Sequence, residues 1–467
     1  MKLPTLLKSF RGKSFFLPSH SNGMALPRPI RALLKTRPGS WDLPELPSIG
    51  ALPDIQGSII ESQKASADFF GVKHCWYGVN GATGLLQGAL LSILNPGQAV
   101  LLPRNVHRSV VYACALGGIV PIFFDLPFFN DRGHSKPCDS KWFEEILRNI
   151  SVYNLDIGAI LFVNPTYQGY STDLSHIIKQ IHQIGLPVIV DEAHGAYFAY
   201  INQYEDLVPS SALLQGADLV VHSLHKSSIG LVQTAVIWLQ GDLIDQEVID
   251  RGLQWVQTTS PSALLLASCE AALDEWRTPK GLKGLRNRIY EAHEIKSKLK
   301  SMNIPMFDNQ DPLRLILNTG FLGISGFDAD SWFISKGLVG ELPEPSCLTL
   351  CMGFAKQRNL IKTLRETLEA LISAKGTLEP FGRFSTPPLP LLSSPQVSCG
   401  SAWRANSQCL PLREAVGRVA AELISAYPPG IPMIIPGELL DQERINWLIE
   451  QKELWKGQLS ETIKVVI

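Results

Sequence analysis

Between Tyr77 and Trp238 the chain repeats one device: a short apolar run without polar alternation, then a segment with helical spacing. The runs are Ala99 to Leu102, Ile119 to Phe124, Ile157 to Val163, Pro187 to Val190, Asp218 to Val221 and Thr234 to Leu239. Gly84 to Leu94, Val106 to Leu116 and Leu174 to Ile184 read as the helices between them. A strand that is apolar on both faces must be covered on both. The pattern therefore predicts an α/β fold with a mostly parallel sheet between helical layers. Open sheets of this kind receive ligands at the carboxyl ends of their strands.

Two of those ends carry chemistry. One run finishes on Asp191, within Asp191-Glu192-Ala193-His194-Gly195, and another leads through His222 into Ser223-Leu224-His225-Lys226. An aspartate and a lysine on one sheet edge suit pyridoxal phosphate. The ring nitrogen of that cofactor needs a carboxylate to stay protonated, and its aldehyde needs an amine for a Schiff base. The turn Gly78-Val79-Asn80-Gly81-Ala82-Thr83-Gly84 precedes an apolar helix. Small residues there let backbone N–H groups approach a phosphate, and Thr83 adds a hydroxyl. His107 follows the run that starts at Ala99, where an imidazole can stack on the ring. Each feature alone has a plainer reading: a polar strand edge, an exposed lysine, an ordinary glycine turn, a surface histidine. Their combination favours the cofactor.

Composition narrows the alternatives. Lys+Arg 42 against Asp+Glu 43 leaves no basic excess, so neither nucleic acid nor an anionic membrane is an expected partner. Apolar stretches such as Ala263 to Ala267 are too short to span a bilayer, and Met1-Lys2-Leu3-Pro4 lacks a signal-peptide core. The eight cysteines are scattered without C-x-x-C pairs, as expected of reduced thiols in a cytoplasmic protein, and no metal is expected. Cys347 and Cys351 read as part of a buried strand rather than half of a metal site. The Asp-Glu-Ala-His string also occurs in helicases. Here the only Gly-Lys-Ser, Gly12-Lys13-Ser14, has Leu7 where the first glycine of a phosphate loop belongs.

The 467 residues divide into an N-terminal arm (1–60), a cofactor-binding large domain (61–275), a small α+β domain (276–378), a proline-rich linker (379–400) and a C-terminal domain (401–467). In the small domain, Gly281 to Met302 reads as an exposed charged helix, and Leu313 to Leu317 and Leu348 to Met352 as strands. Further on, Arg413 to Tyr427 reads as a helix stopped by Pro428-Pro429-Gly430.

Together these motifs resemble the Orn/Lys/Arg decarboxylase family, fold type I pyridoxal-phosphate enzymes acting on basic amino acids. Phe16 to Gly23 is similar to the family's F-x-x-P-G-H-x-x-G, with Ser19 in place of the glycine. The likeness continues through Asn80 to Thr83, Pro103 to Ser109, Asn164 to Gly169, Asp191 to Gly195, Ser223 to Lys226 with Gln233, and Thr258 to Ser262. It ends at Tyr427 to Pro432 and Pro436-Gly437-Glu438, in the family's C-terminal domain. Tyr197 stands where a histidine is frequent, and Ala263 where an aromatic residue often follows the T-S-P-S motif.

The resemblance implies roles. Lys226 would hold the cofactor and Asp191 its ring nitrogen. His107 would stack on one ring face and Ala193 pack on the other, with His194 nearby. Gly81, Ala82, Thr83, Ser223 and His225 would surround the phosphate. Thr258, Thr259 and Ser260 would reach a neighbouring subunit's phosphate, making a homodimer the smallest assembly. Either Lys226 or His225 would return a proton to the α-carbon. The reaction implied is decarboxylation of arginine, lysine or ornithine for polyamine or agmatine synthesis. The substrate's distal cation needs a carboxylate, for which Glu438 and Glu341 are candidates, as are Glu344, Asp42 and Glu45. Two alternatives stay open: another pyridoxal-phosphate reaction on the same fold, such as transamination or elimination, and a non-catalytic regulatory homologue.

Overall fold

The structure is a computed structural model. It describes residues 3–9, 12–50, 57–150, 156–201, 206–357, 359–375, 379–426 and 430–467. Among the described residues, no helix is long and apolar enough to cross a membrane.

The apolar runs form the large sheet. Its strands are β1 (His74–Gly78), β2 (Ala99–Pro103), β3 (Val120–Phe124), β4 (Ile157–Val163), β5 (Val188–Asp191), β6 (Leu219–Ser223) and β7 (Ala235–Leu239). A smaller sheet consists of β8 (Met306–Phe307), β9 (Arg314–Leu317), β10 (Leu342–Glu344) and β11 (Cys347–Cys351), and β12 is Leu392–Ser393. The large sheet runs in the order β12-β3-β2-β4-β5-β6-β7-β1. From β3 to β6 every pairing is parallel. β7 is antiparallel to both its neighbours, so β1 points the same way as β6.

Alternate residues of each strand enter different cores, which is why the runs show no polar alternation. Leu101, Phe124, Phe162, Val190 and Val220 pack into the cluster on one face of the sheet. Val100, Phe123, Leu161, Ile189 and Val221 pack into the cluster on the other. The second face is covered by α1 (Gly81–Ile93), α2 (Arg108–Gly117) and α3 (Gln246–Val256). α1 and α3 cross at two glycines: a Cβ on Gly252 would lie 2.3 Å from the carbonyl oxygen of Gly88 and 2.4 Å from Ser92 Cβ. That close approach packs the later turns of α1 directly against α3.

The smaller sheet is wholly antiparallel, in the order β8-β9-β11-β10. Its helix, Pro279–Ser301, is not merely a charged exposed surface as expected: Leu285, Ile289, Ala292, Ile295 and Leu299 are buried in the core they share with Leu315 and Leu350. The proline-rich segment also differs from a free linker. β12 pairs with β3 and so extends the large sheet.

The helix expected over Arg413 to Tyr427 is absent where that segment is described; Tyr427 lies outside the described residues. One 3-10 turn, Leu412–Glu414, is followed by Gly417 at φ +76°, which ends helical winding. The chain then pairs at long range. The Ala420 and Ala421 N–H groups donate to the carbonyls of Glu438 and Lys464, and Ile424–Ser425 pairs with Pro432–Ile434. Apolar spacing suggested a helix, but distant backbone partners hold the segment extended.

Candidate active site

A cleft of about 360 Å³ opens at the carboxyl ends of β2, β4, β5 and β6. Gly81, Ala82, Thr83, His107, Asp191, Ala193, His194, Ser223, His225 and Lys226 all line it. The loops after β1, β2, β5 and β6 therefore bring together residues that run from Gly81 to Lys226 in the chain.

Each side chain is held by its own element. Asp191 ends β5 in register with Val163 and Val221, and its Oδ1 accepts the Ala193 N–H at 3.2 Å. Burial pushes its carboxyl up, while Lys226 and the Ala193 N–H act in the other direction. Lys226 lies in a single helical turn after β6. Burial and the nearby Arg314 hold its ammonium below the ordinary lysine range, although Asp191 and Glu341 oppose them. An amine so placed is more readily deprotonated and thus more nucleophilic.

His107 caps α2: its Nδ1 accepts the Ser109 N–H at 3.2 Å and lies 2.8 Å from Ser109 Oγ. Burial, with Lys226 and Arg108 adding, pushes its pKa down to about 4. An imidazole held low in this way is uncharged at neutral pH, which suits stacking on a ring. His225 is likewise lowered to about 4, chiefly by burial and Lys226. Its Nδ1 is 3.2 Å from Ser223 Oγ.

His194 was expected only nearby, and the structure gives it definite partners. Arg314 Nη2 donates to Nδ1 at 3.2 Å, so in the neutral ring Nε2 carries the proton, and that atom is 3.5 Å from Lys226 Nζ. The Tyr167 ring packs against His194 with centroids 4.5 Å apart. Tyr197, the departure from the family motif, donates to Asp311 Oδ1 at 2.5 Å. Asp311 in turn lies 4.0 Å from Arg314. The N-terminal motif also reaches the site: the Ser19 N–H donates to the His225 carbonyl at 2.9 Å, and Ser19 Oγ donates to that of Lys226.

Beneath the site, Glu192 joins β5 to β6. Trp238 Nε1 donates to His222 Nδ1 at 3.0 Å, so His222 Nε2 carries the proton and donates to Glu192 Oε2 at 2.7 Å. Ser211 Oγ and the Ala212 N–H donate to the same carboxylate. Glu192, the second letter of the acidic string, thus braces the strand ends and does not face the cleft.

The residues present fit pyridoxal phosphate. At the start of α1, the Asn80 side chain does not cap the helix but donates to the Val256 carbonyl, which leaves first-turn N–H groups beside Ala82 and Thr83 for an anion. No atom lies within 4 Å of a Cβ built on Gly81, whose φ is +70°. A carboxylate, an amine and this anion-binding turn share one cleft.

Other expected residues lie elsewhere. Thr258, Thr259 and Ser260 are in the partly exposed turn after α3 and do not line this chain's cleft. Glu341 stands behind Tyr167, accepting from the Tyr167 hydroxyl and from the Leu17 N–H at 2.8 Å. Asp42 and Glu45 do not line the cleft either. Glu438 is buried and committed to this chain's own cations. Arg104 grips it with two bonds, at 2.8 and 3.0 Å, and Arg444 lies at 3.1 Å. It is therefore not a free carboxylate for a substrate cation. Asp125 and Glu344 do line the cleft, with Tyr167, Arg104 and His134. Tyr167 lay within a quoted motif without an assigned role. Asp125 directly follows the Ile119 to Phe124 run, so the strand-end pattern carried a signal for it, whereas contact across the fold alone brings in His134.

The model of the Orn/Lys/Arg decarboxylase major domain matches residues 8–332, and that of the family's C-terminal domain matches residues 384–455. The chain belongs to the Orn/Lys/Arg decarboxylase family. It is a pyridoxal-phosphate-dependent carboxy-lyase, and the family's activity is decarboxylation of basic amino acids. Arginine decarboxylase of Bacillus subtilis (strain 168) is 28% identical over 452 residues, covering 93% of this chain and 90% of that one. Constitutive lysine decarboxylase of Escherichia coli (strain K12) is 22% identical over 534 residues, covering 93% and 74%. The solved structure of that Escherichia coli enzyme superposes with a TM-score of 0.77 at 18% identity, over 100% of this chain and 81% of the other. At that identity the likeness concerns the fold.

Proposed function

We propose that this family member removes CO2 from arginine to give agmatine, a precursor class for polyamines. The observation that carries the assignment of roles is the convergence of Lys226, Asp191 and His107 in one cleft. Pyridoxal phosphate supplies an electron sink for the pair left behind when CO2 departs. Lys226 would hold the cofactor, Asp191 would keep its ring nitrogen protonated, and His107 and Ala193 would flank its ring. The start of α1 at Gly81, Ala82 and Thr83, with Ser223 and His225, holds the phosphate. His225 or Lys226, both of which line the cleft, would return the proton to the α-carbon.

Arginine is favoured by the relatives. Four arginine decarboxylases are 27–28% identical to this chain and span nearly all of it, against 20–22% for lysine decarboxylases. For the distal cation, the cleft offers Asp125 and Glu344 in place of Glu438 and Glu341. Thr258, Thr259 and Ser260 serve the partner's phosphate in a homodimer, a role supported by their position outside this chain's own cleft.

The test is CO2 release from arginine, lysine and ornithine supplied singly, alongside visible absorbance of bound cofactor. The expected result is release from arginine first. A Lys226→Ala variant should lose both the activity and the lysine-bound cofactor spectrum. Release from lysine alone would refute the substrate assignment. A protein that takes up no cofactor would refute the assignment of roles.

A further inference from the structure

At the end of the cleft that holds Glu344, three potential metal ligands face one another. His134, Glu344 and Cys347 are all buried, and their ligand atoms lie within 4.8 Å of one another. His134 Nε2 is 3.1 Å from Glu344 Oε2 and 3.5 Å from Cys347 Sγ, and Sγ is 3.4 Å from the same Oε2. The distances match the faces of a coordination tetrahedron. Zinc bonds of about 2.0–2.1 Å to nitrogen and oxygen and about 2.3 Å to sulfur give tetrahedral edges of about 3.3 Å for N–O, 3.6 Å for N–S and 3.5 Å for O–S.

The atoms pointing away from the centre have partners of their own. Tyr170 OH lies 3.3 Å from His134 Nδ1, and Gln168 Nε2 donates to Glu344 Oε1 at 2.9 Å. Outer partners of this kind fix a ligand's tautomer and orientation. They leave Nε2 and Oε2 turned towards the thiol. The three ligands form a face, and two of them, His134 and Glu344, line the cleft together with Gln168. A plain hydrogen-bond network, with the thiol donating to Glu344, would satisfy the contacts pairwise. It would bring the thiol and the imidazole each to Glu344 Oε2, but would not by itself require the 3.5 Å approach of His134 Nε2 to the sulfur.

We propose that His134, Glu344 and Cys347 bind one zinc-like divalent cation with an open coordination position facing the cleft. One thiolate, one imidazole and one carboxylate select borderline-soft ions such as Zn2+ over Mg2+ or Ca2+. The cation would occupy the carboxylate assigned above to the substrate's distal cation, so metal and substrate oppose each other. That opposition rests on the proposed function; metal binding itself does not.

The experiment titrates cofactor-loaded protein with Zn2+ against a chromogenic chelator, without substrate. X-ray absorption at the zinc edge is then recorded on the one-to-one complex. The expected result is one Zn2+ per chain, with one sulfur at about 2.3 Å and lighter ligands at about 2.0–2.1 Å. Affinity should fall at least tenfold in Cys347→Ser and in His134→Gln and stay unchanged in Cys409→Ser, which removes the exposed cysteine. Retained cofactor absorbance in each variant shows that the fold persists. Absence of a one-to-one site, a site without sulfur, or unchanged affinity in either ligand variant would overturn the proposal. In the CO2 assay, Zn2+ should raise KM for the basic amino acid and leave kcat unchanged. Zinc binding as described in a protein that decarboxylates none of the three amino acids would leave the metal site standing and refute the proposed function instead.

Discussion

Replacing Glu438 by glutamine separates a structural carboxylate from a substrate-binding one. Glu438 accepts two bonds from Arg104, lies beside Arg444, and accepts the Ile435 N–H at 2.9 Å. Arg104 reaches it from the turn after β2, so the contact ties the C-terminal region to the large sheet. Burial alone would push the carboxyl up, but the two arginines and the Ile435 N–H outweigh it and hold it below the usual range. A carboxyl held low stabilises the fold above its unfolded-state value, and that contribution is lost as pH falls through the folded-state value. It is fully present at neutral pH. Removing one partner of a buried pair costs about 3–5 kcal/mol, because a buried charge is left uncompensated. That is roughly two to three and a half orders of magnitude in a local opening constant. Hydrogen exchange followed by mass spectrometry, at neutral pH and on peptides spanning 430–441, reads that constant directly. Protection should fall by this factor in Glu438→Gln. An Arg104→Met, Glu438→Leu double variant should recover part of it, since well-packed apolar residues often replace a buried ion pair without loss. Unchanged protection with a raised KM for the basic amino acid would refute the reasoning and return Glu438 to the substrate.

Three further outcomes are expected. Asp191→Asn should retain cofactor but lower kcat on the order of 10²–10⁴-fold with little change in KM, as stopped-flow or steady-state CO2 release will show. His107 and His225 are both held near 4 from an ordinary 6.5, so the folded protein binds fewer protons than the unfolded chain between those values. Stability of the cofactor-free protein should therefore fall as pH drops from about 6.5 towards 4, and a His107→Gln variant should show a shallower decline in melting temperature. Gly252→Ala places a methyl against the Gly88 carbonyl and should cost about 1–3 kcal/mol. By pushing on α1, whose first turn lines the cleft, it should also weaken cofactor retention on dialysis, whereas an exposed change such as Gly284→Ala should not.

The position of most elements was legible because their signals are local. Strands buried on both faces read as unbroken apolar runs, and β2, β4, β5 and β6 lie where those runs predicted them. Segments whose structure depends on distant partners were misread. The extended chain after Glu414 borrows its hydrogen bonds from residues 438 and 464, and β12 from the edge of β3. Local apolar spacing contains neither partner. The same division runs through the site. Gly81 to Thr83, His107, Asp191 and Lys226 sit at element ends that the sequence marks, and they meet in the cleft. Arg314 joins them from the smaller sheet, through a hydrogen bond to His194 that no spacing implies.

By itself the sequence determined the alternating α/β order, the parallel sheet and the family. Each follows from side-chain type at fixed short spacing, which chain geometry turns into strand ends and helix starts. Only the tertiary structure decided how the acidic residues divide. Glu192 braces two strands, Glu438 is bound by Arg104 and Arg444, Glu341 lies behind Tyr167, and Asp125 and Glu344 face the cleft. A carboxylate's role is set by which cation or donor reaches it in space, and for Glu438 and Glu341 that partner comes from a segment more than a hundred residues away.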